Sequence, residues 1–362
     1  MRVAVSEQAS PVALPARSRG RRARVGIGSL AVLLALAVLL SASIGAVPIA
    51  PGEILRILLA RIGLASADSV DATASAVFWT IRLPRVVLGV FVGSALASCG
   101  ALLQGLFRNP LADPALLGIS GGAMLAAALF IVFGSGIASV LGPAALPAVA
   151  FAGALGATTL VRRLGQRGGA TDVTVLLLAG MAVAAIAGAG TGLLSFLATD
   201  TQLRALTLWS LGSLGGATWT QVVWVGIPVS LVLLASVRGA RELDALVLGE
   251  REAHHLGVEV ERLKGRLVFL TALGVGVSVA ATGTIGFVGL VVPHLLRLVI
   301  GPGHRALLPA AALGGATLLL LADLVARTVA APAELPIGAL TAMIGGPFFL
   351  YLLLRRRGRG SW

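Results

Sequence analysis

The chain has 362 residues, 57% hydrophobic and only 12% charged, with a formal net charge of +13, one cysteine and 47 glycines. The apolar residues come in runs of about 20 instead of along one amphipathic face, which excludes a water-soluble globular domain and specifies an all-α polytopic membrane protein. Alternating segments of about 10 residues, the mark of a membrane β-barrel, are absent, and a solitary Cys99 leaves no disulfide framework.

Residues 1–24 are rich in Arg and Pro and read as a disordered basic tail, with Arg17 to Arg24 attracted to anionic lipid head groups. The apolar run after Arg24 exceeds the core of a usual signal peptide. About ten helices follow, near 25–46, 86–107, 115–134, 143–163, 173–197, 219–238, 265–282, 285–300, 306–326 and 335–354. Placing both termini in the cytoplasm leaves 22 Lys and Arg residues inside and 6 outside, so the positive charge is mainly a topology signal. The arginines sit at helix ends and form no single patch, which argues against a nucleic-acid partner. The chain divides into the tail 1–24, a membrane domain 25–355 with a cytoplasmic segment 239–264, and a short cytoplasmic tail 356–362.

Four polar islands interrupt the apolar runs. Arg82, Leu83, Pro84 and Arg85 open the second helix from outside, with Pro84 suited to a first turn. Their arginines either meet acidic groups of a partner or snorkel to the interface. The stretch RNPLADPALLGISGGA (108–123) reads as a cytoplasmic elbow: Pro110 and Pro114 stop the helix, and Asn109 and Asp113 favour turn or capping geometry. It is a plain turn or a carrier of gate residues, and Gly118, Gly121 and Gly122 allow a neighbouring backbone to approach.

The segment between Arg238 and Arg266 predicts short surface helices broken by Gly249 and Gly257, serving as a connecting loop or as a shape that fits a cleft on another protein. Asp323 and Arg327 stand one helical turn apart and can pair with each other. Their placement fits a proton or ion relay, or a docking charge braced by a carboxylate.

The residues for catalysis are missing. Lys264, the single lysine, follows no glycine-rich loop, so the chain has no Walker A phosphate cradle. It has no HExxH or paired-cysteine metal spacing and no nucleophile elbow. Passage across the membrane is therefore the leading class, and a proton- or sodium-driven secondary transporter resting on Asp323 and Asp172 is its competitor.

Taken together, IRLPR (81–85), SCGALLQGLFRNPLADPALLGISGGA (98–123), WSLGSLGGATW (209–219), LGEREAHHLGV (248–258), TIGFVGLVVPHLLRL (284–298) and the run from Asp323 to Arg355 resemble the permease family of iron-chelate, haem and cobalamin ABC importers. These are the large type II bacterial uptake systems of the inner membrane, and the resemblance covers about residues 80–355. It implies a homodimer of ten-helix subunits around a central path, two ATP-binding subunits below and a periplasmic substrate-binding protein above. By the same resemblance, Arg82, Arg85 and Arg327 receive acidic residues of the binding protein, and Gly249, Glu250, Ala253, Leu256 and Gly257 form the coupling segment that seats in the ATPase. Asn109 and Leu111 match an inner gate, with Thr174 a looser match.

The resemblance also implies that this chain binds no cofactor, ATP and Mg²⁺ belonging to the partner ATPase. Haem is the favoured cargo from that resemblance, ahead of a ferric siderophore and cobalamin. The outer loops offer no His, Tyr, Cys or Met to ligate iron, so an intact complex would pass without coordination by the protein.

Overall fold

The computed structural model describes residues 16–66, 70–134, 136 and 142–357. In chain order its helices are α1 (Ala16–Ser43), α2 (Pro51–Arg61), α3 (Ala72–Val77), α4 (Leu83–Leu106), α5 (Ile119–Phe133), α6 (Ala145–Gly165), α7 (Val173–Leu197) and α8 (Asp200–Leu211). They continue as α9 (Trp219–Arg238), α10 (Ala240–Leu248), α11 (Glu250–His255), α12 (Val260–Thr282), α13 (Val288–Val299), α14 (His304–Thr328) and α15 (Ile337–Arg357). Among the described residues, 7 helical segments are long and apolar enough to cross a bilayer. Three shorter apolar helices, Ile119–Phe133, Val288–Val299 and Ile337–Tyr351, bring the total to the expected ten or so.

Capping chemistry explains why α7 and α9 begin where the sequence places them. Asp172 accepts hydrogen bonds from the backbone N–H groups of Thr174 and Val175, and Thr218 forms a reciprocal capping box with Gln221. Other boundaries differ from expectation. Helix α1 starts at Ala16, inside the segment expected to be a disordered tail, because Ala and Arg are good helix formers and the apolar span continues the turn they begin. The remainder of that tail, residues 1–15, and the terminal residues 358–362 lie outside the described residues.

Helices α2 and α8 were not expected from apolar run length. α2 joins a small satellite core of Ile49, Ile54, Ile57, Ala74 and Phe78. α8 is started by a Thr199–Gln202 capping box and tied to α5 by Gln202 Nε2 donating to Val132 O at 3.0 Å. The second span begins at Ala72 instead of near 86 and runs as one 35-residue segment, through a π-turn at Phe78–Arg82, into α4. Arg82 and Arg85 thus lie within a continuous helix and do not open one.

The bundle packs around α4, whose apolar window is 83% buried. Bare backbone makes this possible: a Cβ on Gly93 would lie 2.4 Å from Gly315 O of α14, and one on Gly100 would lie 1.8 Å from Gly289 O of α13. By contrast α1 and α7 are each only 17% buried over their windows and present apolar faces outward.

The elbow after α4 does more than turn at the membrane face. Its single 3-10 turn, Pro114–Leu117, packs so closely on α7 that a Cβ on Gly180 would stand 1.7 Å from Leu116 O. Gly180 lies two helical turns into α7, so the elbow dips about 10 Å into the bundle at 1.5 Å per residue. Non-helical backbone at that depth is tolerated because protein surrounds it, with Ala112, Leu117 and Ile119 at most 1% exposed. The dip also explains why α5 needs only 15 residues.

A Gly100→Leu substitution is expected to destabilise the protein by roughly 1–3 kcal/mol or to prevent its assembly, because the α4–α13 contact has no room for a side chain. Gly156→Leu, where a Cβ meets nothing within 4 Å, should be near neutral. Unfolding midpoints in detergent would compare the two.

Candidate functional site

Polar groups collect at the two ends of the bundle. At the end that the charge bias assigns to the outside, three arginines converge from α14 and from the continuous helix containing α4. Arg82 Nη1 donates to Ala42 O at 2.5 Å and Ser43 O at 2.8 Å, and its Nη2 donates to Val47 O. Arg327 Nη2 reaches Ser41 O at 2.6 Å and Ser41 Oγ at 2.8 Å. Arg85 is clamped by two carboxylates: Nε and Nη2 donate to Asp323 at 2.8–3.2 Å, while Nη1 and Nη2 donate to Glu334 at 2.8 and 2.9 Å.

Asp323 is fully buried and also stands 3.6 Å from Arg327 Nε, so the pairing anticipated between these two is the weaker half of a network centred on Arg85. Arg82 and Arg85 are themselves 4% and 7% exposed. Glu334 lies in the turn before α15, with its side chain 42% exposed. The hydrogen-bonded Arg85 guanidinium holds its carboxyl below the ordinary glutamate value, against a smaller opposing effect of burial.

The rest of this end is knitted by backbone. Ser213 N donates to Thr282 O at 2.7 Å, Ile337 N to Gly212 O at 3.1 Å, and Trp219 Nε1 to Trp79 O at 2.9 Å. The ends of α8 and α12 and the starts of α9 and α15 are thereby fixed around the arginines.

At the opposite end, two short helices occupy the predicted cytoplasmic segment. Gly249 (φ +139°) separates α10 from α11 and Gly257 (φ +81°) turns the chain toward α12, conformations that favour glycine. Ala253 is fully buried against the bundle, whereas Leu248 and Leu256 are 68% and 65% exposed. Glu250 bonds Lys264 Nζ at 2.8 Å. A groove of about 730 Å³ runs beside this module, lined by Arg241, Glu242, Leu256, Arg262 and Arg266 among others.

The sequence-derived gate residues lie at this end. Asn109 is exposed and its Oδ1 accepts from Leu111 N at 2.9 Å; Leu111 is half-buried at the start of the dipping elbow. Thr174 is exposed in the first turn of α7, its N–H bonded to Asp172. Asp172 therefore serves as a helix cap, and Asp323 is held by Arg85.

Sequence reasoning missed Gln104, Arg297, Asp244 and His304, whose partners are distant in the chain. Gln104 bonds Arg297, and His304 Nδ1 lies 2.7 Å from Asp244 Oδ1. Between the two ends a cavity of about 360 Å³ is bordered by the elbow and by parts of α4, α5, α8, α12, α13 and α15. Its lining includes Leu96, Val275, Val279 and Ile285, with Phe287 its one aromatic and Asp113 its one charged residue. No His, Cys, Met or Tyr lines it, and among the described residues no cluster of three His, Cys, Asp or Glu could hold a metal ion.

A close-packed helical bundle with a largely apolar internal cavity and structured polar modules at both ends defines a multi-pass membrane transport subunit. The model of the FecCD transport family matches residues 33–355, and the chain belongs to that family. It is 47% identical to the hemin transport system permease protein HmuU of Yersinia pestis over 341 residues, covering 93% of this chain and 98% of that protein. It is 46% identical over 296 residues to the cobalamin import system permease protein BtuC of Halobacterium salinarum, covering 80% and 76%. Against the vitamin B12 import system permease protein BtuC of Citrobacter koseri the identity is 42% over 331 residues, covering 91% and 94%. Among solved structures, an inward-facing conformation of a metal-chelate type ABC transporter matches with a TM-score of 0.79 and 32% identity, over 91% of this chain and 98% of that one.

Two outcomes test this geometry. Arg85→Ala removes the main hydrogen-bond partner of buried Asp323 and is expected to cost about 3–5 kcal/mol, whereas an Arg85→Met/Asp323→Leu double variant should recover much of it in denaturant unfolding. At the other end, burial raises the Glu261 carboxyl but its bonds to Lys264 and to the Thr171 N–H outweigh that effect and depress it. A depressed carboxyl contributes stability that is complete above about pH 4.3 and is lost as pH falls through the folded value. Glu261→Gln should therefore flatten the acid side of a stability-versus-pH curve.

Proposed function

We propose that this chain is the membrane-spanning permease of an ATP-driven bacterial importer for haem, working as a homodimer in the inner membrane with both termini cytoplasmic. The carrying observation is the similarity to the hemin permease, which extends over 98% of that relative's length. The cavity supports the same reading: its lining is mainly apolar and holds no His, Cys, Met or Tyr, with Asp113 its one carboxylate, which suits passage of an intact chelate. The 46% identity to a cobalamin permease favours cobalamin as the second reading.

In this proposal two ATP-binding subunits carry ATP and Mg²⁺ and seat on the module of Gly249, Glu250, Ala253, Leu256 and Gly257. Exposed Leu248 and Leu256 provide apolar anchors beside charged rims, a composition suited to an interface core. ATP binding draws those subunits together, and the permease changes access because the partners stabilise its two states differently. Asn109, Leu111 and Thr174 form the inner gate, completed across the dimer.

A periplasmic binding protein docks at the outer arginines. Because Arg85 already holds Glu334, an incoming carboxylate must displace that partly exposed side chain, while buried Asp323 remains as a brace. Glu334→Gln should tighten binding of the cognate binding protein by about 5-fold or more, and Arg85→Glu should abolish the gain in the double variant. Affinities measured on nanodisc-embedded protein would decide this. For the whole reading, proteoliposomes containing the permease, its ATP-binding subunits and binding protein should accumulate haem only with ATP. Uptake that survives ATP depletion and collapses with an uncoupler would assign the chain to secondary transport instead.

A further inference from the structure

Lys264 is the single lysine of the sequence and is 2% exposed. An ammonium has three donors, and here each has one acceptor: Glu250 Oε2 at 2.8 Å, Glu261 Oε1 at 3.0 Å and Thr171 O at 2.9 Å. These acceptors belong to three different elements. Glu250 begins α11, Glu261 is in the first turn of α12, and Thr171 ends a two-stranded hairpin, Gln166–Arg167 with Ala170–Thr171, that joins α6 to α7. Glu261 closes the ring by accepting from Thr171 N at 2.8 Å through its other oxygen. The next residue, Asp172, is the N-cap of α7.

We infer that Lys264 is a positioning residue that transmits displacement of α11 to the inner end of α7. The inference rests on the reading that α11 meets the ATP-binding subunit. The geometry supplies a short polar path: α11 moves Glu250, Glu250 is tied to Lys264, and Lys264 is tied to the residue immediately before the α7 cap. The hairpin is short, and its turn residues Gly168 and Gly169 are exposed. The first turns of α7 pack against the elbow, with Leu176 fully buried and Gly180 against Leu116 O, so a pull on the α7 cap is passed to the elbow as well. The compact ammonium suits acceptors arranged around a point, whereas a guanidinium offers its donors in one rigid plane.

The test uses the full transporter in proteoliposomes, with haem as the cargo probe. Lys264→Met keeps most of the length of the side chain and removes its donors; Lys264→Met/Glu261→Gln removes in addition the carboxylate that the first change leaves with only the Thr171 N–H. In both, the ATP-binding subunit should still co-purify, and ATP hydrolysed per haem imported should rise about 5-fold or more, the lower range of a site-to-site coupling. Hydrogen exchange should show that the ATP-dependent change in residues 166–177, present in the parent, is lost. An unchanged ratio in assembled transporter overturns the inference, as does loss of co-purification, which would make Lys264 part of the docking surface. Failure of the parent chain to co-purify with an ATP-binding subunit would instead defeat the underlying functional reading.

Discussion

The seam between α4 and α14 is the contact on which the rest of the architecture depends. At its middle Gly93 and Gly315 bring backbone against backbone, and Ser94 Oγ donates to Ala312 O at 3.0 Å. Its outer end is closed by the bidentate Arg85–Asp323 pair. Toward its inner end Gly105 leaves room for the imidazole of His304, which in turn holds Asp244 of α10. In hydrocarbon there is no hydrophobic gain from bringing helices together, so close backbone approach and polar closure must supply the association. Because both ends of one seam carry functional modules, its rigidity fixes the outer arginines and the inner helices in a common frame.

How much of this could be read from the chain depends on range. Spans are a property of local composition, and α7 and α9 were legible to the residue because long charge-free apolar runs mark them; the caps Asp172 and Thr218 are what fix those starts in the structure. Breaks at Gly249 and Gly257 were legible for the same reason: each needs a positive φ. Helices α2 and α8 were not, since 11 and 12 residues with mixed polarity carry no spanning signal. The Asp323–Arg327 pair was legible because the two stand four residues apart and do pair, whereas the closer partner Arg85, 238 residues away, was not. Sequence spacing supplies the near pair; only the fold supplies the better one. Lys264 shows the same limit, having excluded a nucleotide site by its context while giving no hint of its three acceptors.

The two ends are built with different physics. The outer cluster is buried, short-ranged and nearly saturated, so it changes only by exchanging one carboxylate for another. The inner module is half-exposed, turned at the positive-φ glycines Gly249 and Gly257, and held by side-chain bonds that span separate elements. The outer end is thus the more closely held of the two, and the inner end the more exposed. The dipping elbow lies between them and borders the cavity, so cargo would pass beside irregular backbone that neighbouring helices already satisfy.

The attachment of α1 has a consequence for biogenesis. Its C-terminal carbonyls, the negative pole of a helix, are capped by Arg82 and Arg327, which lie 40 and 286 residues further along the chain. During synthesis the first helix therefore enters the bilayer long before its second clasp has been translated. Until then Arg82 is its only guanidinium clasp, and most of its apolar surface stays uncovered by the rest of the chain. A clasp from α14 thus secures α1 from far along the chain, and a polypeptide truncated before α14 would carry α1 without that fastening.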